Sequence, residues 1–205
     1  MPNIDYYVTS VSPWTYLGHR AVQDVAAKHG ATLVVKPVNL GEMFKVSGQV
    51  ALGERSAVRQ RYRFIELQRF AEMRGRKLNP KPKFFPTDPT LADHTIIAIV
   101  ASGGDPMAYM DSVFSAVWAD EQDISDEATL AALLASAGFD ASAILAKANS
   151  PEVAAIRALN TADAVAVDAT GVPAFVLNGE PFWGQDRIDM LDRALSAGRA
   201  PFKAL

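Results

Sequence analysis

The chain is 205 residues long and 49% hydrophobic, with a formal net charge of −3 and no cysteine. Such a chain can bury a real core, so disorder is excluded, and the interspersed charge gives no electrostatic case for a nucleic-acid or anionic-membrane partner. The absence of cysteine removes disulfides, thiolate metal sites and cysteine nucleophiles together.

Ile4 to Thr9 reads as a short buried strand, with Tyr6, Tyr7 and Val8 favouring extended backbone. Ser12 falls where a helix N-cap belongs, and Pro13 takes the first helical position, where its missing N–H costs nothing. Leu17, Ala21, Val22, Val25 and Ala26 follow at helical spacing, and Gly30 ends the helix. Thr32 to Val38 reads as a second strand. This is a βαβ opening whose two strands lie parallel.

From about Leu40 to Ala169 the pattern is helical. Val58, Tyr62 and Ile65 share one face of a helix running towards Gly75, and PKPKFFPTDPT is a rigid, proline-rich connection. Ala92, Ile96 and Ile99 mark a helix that stops at Gly103-Gly104. Asp105-Pro106 begins the next, which carries Met107, Met110, Phe114 and Val117. Leu130, Leu133, Leu134 and Ala137 continue the bundle, and Ser150-Pro151 opens a further helix stopped at Gly171. Strands then return: Ala174 to Leu177 meets EPFW across Asn178-Gly179, a strong hairpin-turn dipeptide. From Gln185 the chain is helical again, with Ile188, Leu191 and Leu195 on one face. A sheet split by a helical insertion accounts for every part: residues 1–40 and 170–205 form the sheet domain. Residues 41–169 form the insertion, whose last helix, about 151–169, leads back into the sheet domain.

No run approaches the roughly 20 apolar residues of a membrane span, and MPNIDYYV lacks the basic region and apolar stretch of a secretory signal. A cytoplasmic protein is expected. His19, His29 and His94 are scattered without ligand spacing, so no bound metal is expected.

Two sites carry chemistry. At the first, a helix N-terminus presents unpaired N–H groups and a partial positive charge. The Ser12 hydroxyl can cap its own helix, or donate to a thiolate or oxyanion held above it. The second is TGVPAFVLNGEPFWGQDR, Thr170 to Arg187. A cis Val172-Pro173 bond there would offer the Val172 backbone as a ladder to an extended, peptide-like ligand. Asp186 either caps the last helix or binds a ligand's ammonium group. A helix-terminal functional group opposite a Val-Pro that precedes a ββα unit is the thioredoxin-type arrangement. In thiol-disulfide members SPWT would read C-x-x-C, whereas here Ser12 and Thr15 stand at both thiol positions. Disulfide exchange needs a thiolate, which this chain cannot supply.

DYYVTSVSPWTYLG, PVNLGEMFKVSGQ, the FP of KFFPTDP and GVPAFVLNGEPFWGQDRIDML together resemble the 2-hydroxychromene-2-carboxylate isomerases and kappa-class glutathione transferases of the DsbA-like thioredoxin superfamily. FWGQDR looks closer to the isomerases. The resemblance implies a thioredoxin-like domain with a helical insertion, glutathione as cofactor, and Ser12 as the residue that hydrogen-bonds its sulfur. Lowering the pKa of a thiol from near 8.5 would ionise far more of it at neutral pH. It further implies that Lys45, Gln49 (where the family commonly has asparagine), Val172, Pro173, Gln185 and Asp186 hold glutathione. Trp14 and Phe84 or Phe85 either wall an aromatic substrate pocket or simply pack the core. Arg55, Arg59, Arg61 and Arg63 read first as a solvated basic face, with a steering role for an anionic substrate as the alternative.

The implied reaction interconverts 2-hydroxychromene-2-carboxylate and trans-o-hydroxybenzylidenepyruvate through reversible addition of the glutathione thiolate, within aromatic-compound degradation such as naphthalene catabolism. Relatives are often dimers, which implies a homodimer. A transferase that consumes glutathione, a DsbA-like oxidoreductase and a non-catalytic interaction protein are the rival readings; the missing cysteines speak against the oxidoreductase.

Overall fold

A computed structural model describes residues 1–204. Strand β1 (Asn3–Val8) runs into helix α1 (Pro13–His29), whose start follows the local chemistry of the sequence: Ser12 is extended at the N-cap, and its hydroxyl accepts from the Thr15 N–H. Gly30 takes the left-handed conformation at the C-cap, φ 58°, and the chain returns as β2 (Thr32–Pro37). β1 and β2 pair in parallel, Asn3 opposite Thr32 through Val8 opposite Pro37.

The helical segment comprises α2 (Leu40–Ser47), α3 (Ala57–Met73), α4 (Thr90–Ala101), α5 (Met107–Trp118), α6 (Glu127–Ser136), α7 (Ala141–Ala148) and α8 (Pro151–Ala166). Three of its details depart from the expected pattern. The stretch 141–148 is a helix of its own, capped by the Asp140 carboxylate accepting from the Ala143 N–H. α8 ends at Ala166 rather than at Gly171, because Asp168 adopts a left-handed φ of 57° and breaks the helix early. In α3 the face that Val58, Tyr62 and Ile65 share is not the buried one. Val58, Tyr62 and Ile65 are exposed, while Arg63, Leu67 and Ala71 are buried.

β3 (Ala174–Leu177) and β4 (Glu180–Trp183) form the expected hairpin, and both Asn178 and Gly179 have positive φ, as the tight turn requires. β3 pairs antiparallel with β1, giving the order β2-β1-β3-β4, and α9 (Ile188–Ala197) closes the chain after a short 3₁₀ turn at Gln185–Arg187. This mixed four-stranded sheet with helices around it is the thioredoxin-like DsbA fold.

The main core is continuous across both parts of the chain. It runs from Ile4, Tyr6 and Val8 on β1, through Leu17 and Val22 on α1, to Ile96, Phe114 and Trp118 in the helical segment. A second cluster on the other sheet face joins Tyr7, Met43, Ala164 and Val176. Beneath the β1–α1 turn lies a buried polar knot. The Asp93 carboxylate on α4, fully buried, accepts from the Thr9 hydroxyl, the Ser10 N–H, the Ser10 hydroxyl and the Arg157 guanidinium, all between 2.8 and 2.9 Å. Burial pushes the Asp93 carboxyl pKa up, while Arg157 and the donors from Thr9 and Ser10 pull it back. The knot pins the segment that presents Ser12.

Candidate active site

A cleft of about 600 Å³ opens where α1, α3 and the turn after β4 meet. Trp14 contributes from the first turn of α1, and Phe70 from α3 meets it edge-on with ring centroids 6.1 Å apart. Val172, Gln185 and Asp186 line the opposite side with Trp183. Four residues singled out from the sequence, Trp14, Val172, Gln185 and Asp186, are therefore brought to one cavity although they come from distant parts of the chain.

Close backbone approach builds this side of the cleft. A Cβ on Gly18 of α1 would lie 2.7 Å from Gln185 Cβ, and one on Gly171 would lie 2.8 Å from Trp183 Nε1. Neither substitution has room, so these glycines let the Gln185 turn rest on α1 and Trp183 rest on the Val172 segment. Gly184 has φ 104°, and a Cβ there would collide with the Asp186 carboxylate. Sequence reasoning missed the contact role of Gly18, which reads from sequence only as a weak residue inside a helix.

Gln185 is 1% exposed, and Arg74 at the end of α3 donates to both its side-chain oxygen and its backbone carbonyl at 3.1–3.2 Å. That fixes the orientation of the amide. Its Nε2 is buried and has no partner among the described residues. Asp186 accepts from Arg187 at 2.5 Å and remains half exposed at the cleft. The Val172-Pro173 bond is cis. The ladder between β1 and β3 begins at Ala174, so Val172 lies just beyond the last pairing.

Ser12 is buried two residues before Trp14 and does not itself line the cleft. Its oxygen accepts the helix-cap bond at 3.2 Å, and its proton has no acceptor among the described residues. The group that caps the helix therefore keeps a donor available. Thr15, at the other thiol position of a C-x-x-C, is wholly buried, and its hydroxyl is unpaired.

Other expected positions lie elsewhere. Lys45 is exposed on α2, donates to Glu42 at 2.7 Å and does not line this cleft, and neither does half-buried Gln49. Phe84 lies beneath the Lys83 ammonium, and Phe85 packs on Trp118 with ring centroids 4.8 Å apart, so neither forms the cleft wall. Of the four arginines read as a solvated face, Arg59 and Arg61 are exposed, Arg55 is half-buried and Arg63 is buried; Arg55, Arg59 and Arg63 line the cleft, and Arg61 does not. Among the described residues no three His, Asp or Glu side chains cluster as a metal site, and no helix is long and apolar enough to cross a membrane.

The model of the DSBA-like thioredoxin domain family matches residues 3–196. A 2-hydroxychromene-2-carboxylate isomerase from Pseudomonas putida is 28% identical, over 94% of this chain and 93% of its own length. One from Sphingobium xenophagum is 25% identical, over 94% and 97%. A solved structure of a 2-hydroxychromene-2-carboxylate isomerase superposes with a TM-score of 0.79 at 26% identity, covering 95% of both chains.

Proposed function

Because the chain belongs to the DSBA-like thioredoxin domain family yet contains no cysteine, we propose that it is an isomerase that borrows its thiol from glutathione. Its substrate is an aromatic 2-oxo acid, in the reaction interconverting 2-hydroxychromene-2-carboxylate and trans-o-hydroxybenzylidenepyruvate. The likeness to isomerases of that name supports the reaction class. The observation that carries the cofactor is Ser12: it caps α1, lies beside the cleft-lining Trp14, and keeps an uncommitted proton.

The site fits glutathione in three further respects. A buried Gln185 amide nitrogen lacks a partner among the described residues, Val172 lies past the end of its ladder at the cleft wall, and the Asp186 carboxylate, although paired with Arg187, stays half exposed at the cleft, where a ligand's ammonium group could share it. When bound, glutathione supplies a thiolate that adds reversibly to a conjugated alkene, freeing rotation about that bond with no net redox change. The rest falls to this chain. The Ser12 hydroxyl and the unpaired N–H groups of the α1 N-terminus stabilise negative charge, favouring ionisation of a thiol placed there. Trp14 and Phe70 exclude water and orient a flat ring. Lys45 and Gln49, as the structure places them, hold no part of this cleft.

The test is a calorimetric titration with glutathione, run beside S-methylglutathione and the Ser12→Ala variant, followed by an assay on 2-hydroxychromene-2-carboxylate. The expected result is binding that weakens about tenfold when either the thiol or the hydroxyl is removed, with turnover that leaves the glutathione concentration unchanged. Stoichiometric loss of glutathione would identify a transferase instead. Absence of glutathione binding would end the cofactor assignment.

A further inference from the structure

Helix α3 carries an arginine in a place where burial argues against one. Arg63 is 9% exposed, with its guanidinium 5.9 Å from the Phe85 ring centroid and 5.8 Å from that of Trp118. It makes no ion pair and no hydrogen bond to another side chain among the described residues. Arg59, Arg63, Glu66 and Phe70 are spaced four, three and four apart, which is one face of a helix, and all four line the cleft. Arg55 joins them from the turn before α3, donating to the Val50 carbonyl.

The acids of the cleft are committed elsewhere. Glu66 pairs with Arg69 at 2.6 Å, and Asp186 pairs with Arg187 at 2.5 Å. Arg55, Arg59 and Arg63 thus line an aromatic-walled space, and none of the three has an acidic partner among the described residues. Burial and the Arg55 charge pull the Arg63 guanidinium down to about 10, so it stays charged at neutral pH but lacks a compensating partner. A buried charge without a partner is costly, and aromatic faces offset only part of that cost. A carboxylate in the cleft would offset the rest through the paired N–H geometry that a guanidinium presents.

We propose that Arg63, supported by Arg55, is the carboxylate anchor of the cleft, and that its ligand is a planar aromatic acid lying against Trp14 and Phe70. This rests on the isomerase reading and deepens it by assigning the specificity-determining residue. Glutathione also carries carboxylates, so the shared chemistry has two possible sources, and the experiment separates them.

Wild type, Arg63→Gln and Arg63→Lys are titrated with trans-cinnamate, with cinnamamide and with glutathione. Wild type is expected to prefer the carboxylate over the uncharged amide by about tenfold or more. Arg63→Gln loses that preference while its glutathione affinity stays within about twofold, and Arg63→Lys retains part of the preference, since it keeps charge but not the planar fork. A merely structural arginine would not move a preference between two ligands of the same shape. Equal binding of acid and amide by wild type, or no binding of cinnamate, overturns the proposal. So does an Arg63→Gln variant that weakens glutathione and keeps the cinnamate preference, because the anchor then serves the cofactor. If Arg63→Gln does not fold, an undiminished preference in Arg63→Lys overturns the planar-fork assignment, and a reduced one supports it. A cinnamate preference without glutathione binding would leave the anchor standing and remove the isomerase reading instead.

Discussion

Arg157 and Arg63 are buried to nearly the same extent, 8% and 9% exposed, and differ in what meets them. Arg157 donates to the fully buried Asp93 at 2.8 Å, and Thr9 and Ser10 complete the carboxylate's shell, while Arg157 Nε is buried without a partner among the described residues. Arg63 has aromatic faces beside it and a cleft before it. The first arrangement supplies its own counter-charge and shapes the turn that carries Ser12, although Arg157 also lines a pocket between α2, α4 and α8. The second is incomplete without something from outside the chain. A buried charge that the protein satisfies is architecture, and one that it leaves open towards a cavity marks a ligand.

The comparison breaks most sharply at Asp93. Asp93→Asn leaves the Arg157 charge buried without an opposite charge, which typically costs about 3–5 kcal/mol. Urea unfolding should show a midpoint lowered by that loss divided by the slope m, with m itself unchanged. A loss below about 1 kcal/mol would mean that the pair is not the pin of the β1–α1 turn.

Ser12 comes next. Ser12→Ala removes the oxygen that accepts from the Thr15 N–H and should cost about 1 kcal/mol of stability, whereas Ser12→Gly should cost only a few tenths. Thermal melts of the two variants separate the capping role from the cofactor role, because both variants lose the hydroxyl but only the alanine variant loses much stability. A loss of only a few tenths of a kcal/mol in both variants would show that the cap bond contributes little.

What could be read from the sequence was local. Ser12 before Pro13, Gly30 after the helix and Asn178-Gly179 between two β-prone runs each fix a boundary through the conformation of one or two residues, and the structure has each where expected. The thioredoxin-like order of elements followed from them. Long-range pairing was not legible: Asp93 and Arg157 are 64 residues apart, and neither is marked by its neighbours. In α3 the helical spacing of Val58, Tyr62 and Ile65 marked a face without saying what it meets: all three are exposed, and Val58 and Tyr62 line the cleft together with Arg59 and Arg63. Periodicity reports that a face is different, not whether it meets a core or a ligand. Gly18 failed to stand out for a similar reason, since its value lies in the proximity of Gln185.

A smaller effect concerns pH. His19 is fully buried, with its ring nitrogens against the Tyr6 hydroxyl and the Met107 carbonyl and its ring edge-on to Phe114. Burial lowers its pKa from 6.5, although the Met107 carbonyl opposes the shift. The unfolded chain therefore takes up a proton near pH 6.5 that the folded chain refuses. Stability is full above that pH and falls as pH drops through the unfolded pKa towards the folded one. His94 is lowered too, again chiefly by burial, so His19→Gln should make the acid slope of stability shallower rather than flat. An unchanged slope in that variant would show that His19 does not titrate on unfolding.

The smallest expected stability change is at Arg63, and its smallness is what separates the two arginines. Arg63→Met removes cation–π contacts with Phe85 and Trp118, each on the order of 0.5–1 kcal/mol, and at the same time removes a charge that burial penalises. The two changes oppose each other, and the flexible methionine can fill the space over both rings. Unfolding should shift by no more than about 1 kcal/mol in either direction, against several for Asp93→Asn, although the two sites are equally buried. A loss as large as that at Asp93 would mean that Arg63 is held by the protein itself, and it would then belong to the architecture with Arg157. A neutral result leaves the guanidinium with no structural reason to be there. The chain tolerates its desolvation because a carboxylate compensates it in the bound state.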